Sequence, residues 1–344
     1  MGVMPEQKTM HPREWIEIRP EGVYCRPGDF YIDPSRPVGR AVVTHGHGDH
    51  ARSGHGTVVA TPETLAIMRT RYGEDHARTE QALDTNVPIT IGEVKVTLYP
   101  AGHILGSAQA KLEYAGTSIV FAGDYKRRAD PTCEPFVPVP CDVFVTEATF
   151  ALPVFTHPPI DGEIQKLLQS LRTFPERCHL VGAYSLGKCQ RVIMELRRAG
   201  YDHTIYLHGA MVKLCDLYIA HGVPLGRLEQ VTAENAKDLG GKIVLCPPAA
   251  LDDRWSRKMP DPIHVAASGW MRIRARAKQA GVELPLIISD HADWDELNQT
   301  LKDVGAPEVW ITHGREDALV HQATKDGFKA QALHLLGYEE EESE

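Results

Sequence analysis

The segment Thr44-His45-Gly46-His47-Gly48-Asp49-His50 places four side chains of metal-ligating type within six residues. Neutral imidazoles and a carboxylate suit zinc or manganese, and an H-x-H-x-D-H spacing can serve two ions at once. In an extended chain, side chains two apart point the same way, so His45 and His47 share a face. Asp49 and His50, displaced by the turn, face a second position. A histidine-rich surface loop is the bland alternative in a chain with 17 histidines. The density of the motif argues against it. The chemistry to expect is that of bound metal.

The elements that must hold such side chains are short apolar runs, each ending at a residue able to bind metal or move a proton. Ala41-Val42-Val43 precedes the histidine motif, and Val94-Lys95-Val96-Thr97-Leu98-Tyr99 precedes Pro100-Ala101-Gly102-His103. Ser118-Ile119-Val120-Phe121 leads to Asp124, and Val143-Phe144-Val145-Thr146 leads to Glu147. Leu286-Ile287-Ile288-Ser289-Asp290 leads to His291, and Val309-Trp310-Ile311-Thr312 leads to His313. Most of these runs read as buried strands by length and β-branching, and the alternating run from Val94 reads as half-buried. Chemistry carried just past strand ends is held by a rigid sheet.

Between Phe150 and about Met271 the pattern changes to alternating helix and strand. Helical periods are read at Ile160–Leu171 and Gly187–Arg198, and strands at Cys178–Tyr184, His203–Leu207 and Lys242–Cys246. This is the signature of a small parallel α/β lobe. It interrupts the strand-end series between Glu147 and His291 and so reads as an insertion.

Composition sets outer bounds. The chain has 344 residues, 42% hydrophobic and 24% charged, enough for a large core in two lobes. No apolar run approaches the roughly 20 residues that cross a bilayer. Residues Met1–Trp15, with Glu6, Lys8, Arg13 and Glu14, carry no hydrophobic block of a secretory signal. Seven dispersed cysteines without a C-x-x-C pair read as reduced thiols of a cytoplasmic protein, which excludes a disulfide scaffold and a zinc ribbon. The net charge of −9 includes an acidic tail, Glu339 to Glu344. Bound divalent cations add positive charge locally, so net charge does not exclude a polyanionic partner.

The ordered set His45, His47, Asp49, His50, His103, Asp124 and His313 resembles the metallo-β-lactamase fold, a four-layer αβ/βα sandwich with a dinuclear metal site at its strand ends. Glu147 in Thr146-Glu147-Ala148, His291 in Asp290-His291-Ala292-Asp293 and His313 in Thr312-His313-Gly314 match the extra motifs of the β-CASP nucleases. The resemblance covers almost the whole chain. It implies a metallo-β-lactamase domain at 1–152, an inserted β-CASP α/β domain at 153–275, a return to the first domain at 276–336 and a tail at 337–344. It further implies two divalent ions, Zn2+ or Mn2+. His45, His47 and His103 would hold one, Asp49, His50 and His313 the other, with Asp124 bridging and Asp33 in support. Two metals can activate a hydroxide and neutralise phosphate oxygens in an in-line attack. Asp49, Glu147 and His291 are the implied catalytic residues, with His291 the general acid and Glu147 orienting it. A buried ion pair is the plainer reading of Glu147 and His291.

Which nucleic acid is cut divides the motifs. A histidine at His313 is usual in the RNA-processing branch of the family. The segment Gly182-Ala183-Tyr184-Ser185-Leu186-Gly187-Lys188 looks like a loop of the DNA-repair branch. Tyr184, Ser185, Gly187 and Lys188 at a helix start suit a phosphate seat, and equally a plain strand-to-helix turn capped by Ser185. Ala267-Ser268-Gly269-Trp270-Met271-Arg272, followed by Arg274, Arg276 and Lys278, together with the length is similar to bacterial ligase-associated DNA exonucleases. Ser268, Arg272 and Arg274 then contact the backbone, and Trp270 stacks on a base or lies in the core. Lys126-Arg127-Arg128 and Arg254–Lys258 are further basic clusters, each a phosphate contact or a solvated face. The resemblance therefore implies an exonuclease working on DNA, single-stranded or at a duplex end, with RNA as the alternative substrate. A non-catalytic nucleic-acid-binding scaffold is the reading from another class, disfavoured because every expected ligand position is filled. A DNA ligase or a helicase of a repair pathway is the implied partner.

Overall fold

The computed structural model describes residues 9–333, and the acidic tail expected at 337–344 lies outside them. The chain opens with a hairpin of β1 (Ile16–Arg19) and β2 (Gly22–Cys25), followed by β3 (Phe30–Ile32), β4 (Arg40–Val42) and β5 (His55–Ala60). Helix α1 (Pro62–Tyr72) leads to β6 (Ala77–Ala82). These strands lie in sequence order in one sheet, antiparallel through β3 and parallel from β3 to β6. Helix α1 begins where it does because the Thr61 hydroxyl accepts from the Thr64 N–H at 3.2 Å and Pro62 fills the first helical position, where no N–H is needed.

A second sheet follows: β7 (Pro88–Ile91), β8 (Val94–Pro100), β9 (Ala108–Tyr114) and β10 (Thr117–Phe121) form an antiparallel meander, and β11 (Val143–Ala148) joins β10 in parallel. The chain then builds α2 (Ile160–Thr173), β12 (His179–Gly182), α3 (Lys188–Arg198), β13 (Ile205–Leu207), α4 (Gly209–Ala220), β14 (Leu228–Gln230), β15 (Ile243–Cys246), β16 (Ile263–Ala267), α5 (Arg274–Gln279) and β17 (Leu284–Leu286). It closes with α6 (Trp294–Val304), β18 (Glu308–Gly314), α7 (Glu316–Lys325) and β19 (Lys329–Ala332). Strand β18 pairs in parallel with β11, and β19 adds to its far edge.

The described chain forms two compact units. The first holds the residues up to Ala129, Cys133–Pro153 and those from Trp294; the second holds Asp130–Thr132 and Val154–Asp293. In the first unit, strand alternation divides the side chains between two cores. Val42 and Val59 of the first sheet meet Val96, Leu98, Ile119 and Val145 of the second, while Ala41, Val43, Val58 and Ala60 pack on Leu65 and Met68 of α1. Helix α7 lies on β18 and β19.

In the second unit the strands run β14-β13-β15-β12-β16-β17, each pair parallel. Its central strands, such as Ile243–Cys246, are buried along their whole length, as a sheet covered on both faces requires. The sequence reading returned the chain to the first domain at 276. The second unit instead runs on to Asp293 because β17 pairs with β16. The strand read at Leu286–Asp290 is extended only over Leu284–Leu286, so His291 follows a strand of this third sheet. No helix among the described residues is long and apolar enough to cross a membrane.

Candidate metal centre

Four strands of the first unit, at or just past their ends, aim side chains at one buried point. The turn after β4 supplies His45, His47, Asp49 and His50; the loop after β8 supplies His103; β10 is followed by Asp124; β18 carries His313. Ligand atoms of His45, His47, His103 and Asp124 all lie within 4.8 Å of one another, and so do those of His50, Asp124 and His313. Asp124 belongs to both sets. Its Oδ2 stands 3.5 Å from His45 Nε2, 3.6 Å from His50 Nε2 and 3.7 Å from His103 Nε2. His47 Nδ1 and His103 Nε2 face each other at 3.0 Å, and Asp49 Oδ2 is 3.5 Å from His50 Nε2. Asp49 Oδ1 is buried with no hydrogen-bond partner. This convergence of buried nitrogen and carboxylate donors fits divalent cations of the zinc or manganese kind.

A surrounding layer orients these rings. Asp33 accepts from the Thr44 N–H at 2.7 Å and the Thr44 hydroxyl at 2.6 Å, and its Oδ2 meets His50 Nδ1 at 2.8 Å. The Thr44 hydroxyl also lies 3.1 Å from His45 Nδ1. One carboxylate and one hydroxyl thereby set two rings, an outer-shell arrangement that fixes tautomer as well as direction. Thr44 was not singled out in the sequence; its position just before the first histidine was the only signal. Gly123 has φ 56°, and a Cβ there would stand 2.7 Å from the Thr44 hydroxyl. Only glycine lets Asp124 approach.

The His103 loop is tied by Ser107, whose hydroxyl accepts from the N–H groups of His103 and Ile104 at 3.0 and 3.1 Å. The buried Lys126 ammonium donates to the His103 carbonyl at 3.2 Å. Arg127 pairs with Asp303 at 2.6 Å and Arg128 with Glu296 at 3.0 Å. The Lys126–Arg128 triplet, read as a phosphate contact, is therefore engaged within the first unit. Glu147 is buried near the end of β11, and its carboxylate accepts from the Tyr125 N–H at 2.8 Å.

His313 is turned inward by a β-bulge. Thr146 pairs with Ile311 and Ala148 with Gly314, so β18 carries one residue more than β11 between these points. His313 sits at φ 56°, a left-handed conformation seldom adopted by histidine and often found where strain serves a site. Burial and the neighbouring His50 push its imidazole down to about 4, leaving it neutral, the form that ligates metal. Burial alone would lower His50, yet Asp49, Asp124 and Asp33 hold it well above its ordinary value. For Asp49 the burial that would raise it is outweighed by His50 and His47, which lower it.

The sequence is similar to those of several named proteins. A probable DNA ligase of Opitutus terrae is 27% identical over 323 residues, covering 91% of this chain and 30% of that protein. The endoribonuclease ysh-1 of Neurospora crassa is 35% identical over 141 residues, covering 39% of this chain and 16% of its own. The endoribonuclease ysh1 of Emericella nidulans is 24% identical over 333 residues, covering 71% and 37%. The chain is a relative of the metallo-β-lactamase/β-CASP nucleases. It spans only about a third of the probable ligase, 30% of its length, and 16% and 37% of the two endoribonucleases. A crystal structure of a protein of unknown function from Enterococcus faecalis V583 has a similar fold, with a TM-score of 0.58 and 12% identity over 87% of this chain and 80% of that one. No family model matches.

The second unit of this β-CASP relative carries the other residues singled out in the sequence. His291 is half-buried in the loop after β17, with its N–H on the Ser289 hydroxyl at 3.1 Å. In the Tyr184–Lys188 segment, Tyr184 and Ser185 are half-buried. The Gly187 N–H goes to the Gln190 side chain at 2.8 Å, and the buried Lys188 ammonium pairs with Asp290 at 3.0 Å. The Gly187 amide at the helix N-cap and the lysine of the expected phosphate seat are thus engaged by the chain itself. Ser268 caps a short turn by accepting from the Trp270 N–H at 3.3 Å. Trp270 is half-buried, edge-on to Phe155 at 5.1 Å, with the Arg276 guanidinium 4.0 Å above its ring. Arg272 and Arg274 are exposed, and Arg272 donates to the Val154 carbonyl at 3.3 Å.

Proposed function

We propose that this chain is a metal-dependent nuclease that hydrolyses phosphodiester bonds of DNA from an end. The observation that carries the reading is the membership of Asp124 in two ligand sets, one completed by His45, His47 and His103 and the other by His50 and His313. In this reading the first set holds one cation and the second, with Asp49, the other. Zinc or manganese ions bound there supply Lewis acidity toward phosphate oxygens and a nucleophile at neutral pH. The protein's part is to hold the rings through Asp33 and Thr44 and to protonate the leaving oxygen from His291. The layering of α1, two sheets and α7 supports the αβ/βα sandwich expected for such an enzyme.

The choice of DNA is supported by the match along 91% of the chain to a protein named as a probable DNA ligase. A nuclease that prepares ends for joining is consistent with a sequence of this kind lying within a ligase chain. Exposed Arg272 and Arg274 beside Trp270 supply charge and a ring face for a single strand. A second reading, cleavage of RNA, is favoured by the endoribonuclease relatives and by a histidine at 313.

The test is cleavage of end-labelled single-stranded DNA and of RNA of the same sequence by protein loaded with zinc or manganese. Shortening of DNA is expected. His291→Ala should slow it by about 100-fold or more, with metal content by elemental analysis unchanged. Cleavage of RNA alone would transfer the reading to a ribonuclease, and inertness toward both would end it.

A further inference from the structure

The loop that carries His291 is held, polar group by polar group, by side chains of α2 and α3 in its own unit. Glu163 of α2 accepts from the Ile287 N–H at 2.9 Å. Lys188 of α3 donates to the Ile288 carbonyl at 3.0 Å, and Arg191, one turn on, donates to the Ser289 carbonyl. Both cations also reach the Asp290 carboxylate, Lys188 at 3.0 Å and Arg191 at 3.3 Å. Arg191 Nε is balanced on its other side by Asp130 at 3.5 Å. Lys188, Arg191 and Asp290 are 4%, 2% and 4% exposed, so this is a cluster of buried ions.

Burying two cations with two carboxylates costs several kcal/mol per ion in desolvation, and well-packed apolar side chains often stabilise a fold as well or better. Stability alone is therefore a poor account of it. What such a cluster does provide is a fixed geometry, because each charge accepts few alternative positions once water is excluded. The residue next to Asp290 is His291. We infer that Lys188 and Arg191 are positioning residues, which fix the His291 imidazole through Asp290 and the carbonyls of Ile288 and Ser289. This rests on the reading of His291 as the proton donor. It also gives the Gly187-Lys188 motif a role in catalysis without a phosphate contact.

The test compares Lys188→Met, Arg191→Lys and His291→Ala on two substrates: DNA, whose leaving oxygen needs a proton, and a p-nitrophenyl ester of thymidine monophosphate, whose leaving group does not. Lys188→Met should lower kcat on DNA by about 100-fold, the scale of a 1 Å misplacement, with KM and metal content unchanged. Its rate on the ester should be near that of the parent. Added to His291→Ala, it should cause no further loss on DNA. If the ester rescues His291→Ala and not Lys188→Met, the positioning role is overturned while the proton donor stands. If the ester fails to rescue His291→Ala, the reading of His291 falls, and the inference with it. Lys188→Arg, which keeps the charge and changes its reach, replaces the methionine variant if that protein does not fold; the same pattern on both substrates is expected.

Discussion

Thr44 touches more of the centre than its size suggests, because its N–H and hydroxyl both meet Asp33 and the hydroxyl also meets His45. Thr44→Val keeps the shape and removes the link. The expected result is a loss of zinc affinity of about 10–100-fold, measured by competition with a chromophoric chelator, and a small loss of stability of about 1 kcal/mol. Unchanged affinity would detach Thr44 from the centre. The converging imidazoles and carboxylates were legible in the sequence because several of them follow short apolar runs at strand ends. Thr44 was not, since a hydroxyl shows its purpose only once Asp33, eleven residues earlier, is folded beside it. Lys188 illustrates the opposite case. At a helix start it reads as a phosphate ligand, and nothing local reveals that Asp290, far along the chain, neutralises it.

The bulge in β18 is what brings the end of that strand, and His313 with it, to the centre. At Gly314 φ is 117°, and an added Cβ would stand 2.4 Å from the Ala148 carbonyl oxygen across the pair. Gly314→Ala should therefore cost about 2 kcal/mol or more, read from urea unfolding. It should also weaken metal retention, because relieving the clash moves His313. A substitution that leaves both untouched would show that the bulge does not set the histidine. The apolar runs of β8, β10, β11 and β18 were readable as strands, being short, β-branched and sharply bounded. The bulge was not readable, because Thr312-His313-Gly314 has the same composition as a plain strand end. Nor was the membership of β17 in the third sheet, since a proline-bearing run such as Leu284–Leu286 signals its partner β16 by nothing local.

Across the first unit, Glu308 gathers the two ends of the described chain onto one strand. Its buried carboxylate meets Arg13 at 2.6 Å and Lys329 at 2.7 Å, and accepts from the Trp310 indole at 2.7 Å. Burial would raise this carboxyl, but Lys329, Trp310 and Arg13 outweigh it and hold it at about 2. A carboxyl lowered on folding adds stability above its unfolded value, roughly 4.3, and loses that contribution as pH falls through its folded value. With the cations partly exposed, the full shift is discounted to about 2 kcal/mol. Glu308→Gln should thus be less stable than the parent by about that amount at pH 6 in chelator, and the gap should close between pH 4 and pH 2. A gap independent of pH would assign the loss to packing instead. The parallel pairing of β11 with β18 has a consequence in time. His45, His47, His103 and Asp124 all precede the second unit in the chain, whereas His313 follows it. A ribosome therefore delivers one complete set of donors early and withholds the last member of the other until the whole intervening unit has been made. The centre is assembled in two instalments, and its second half can close only after the second unit has been made.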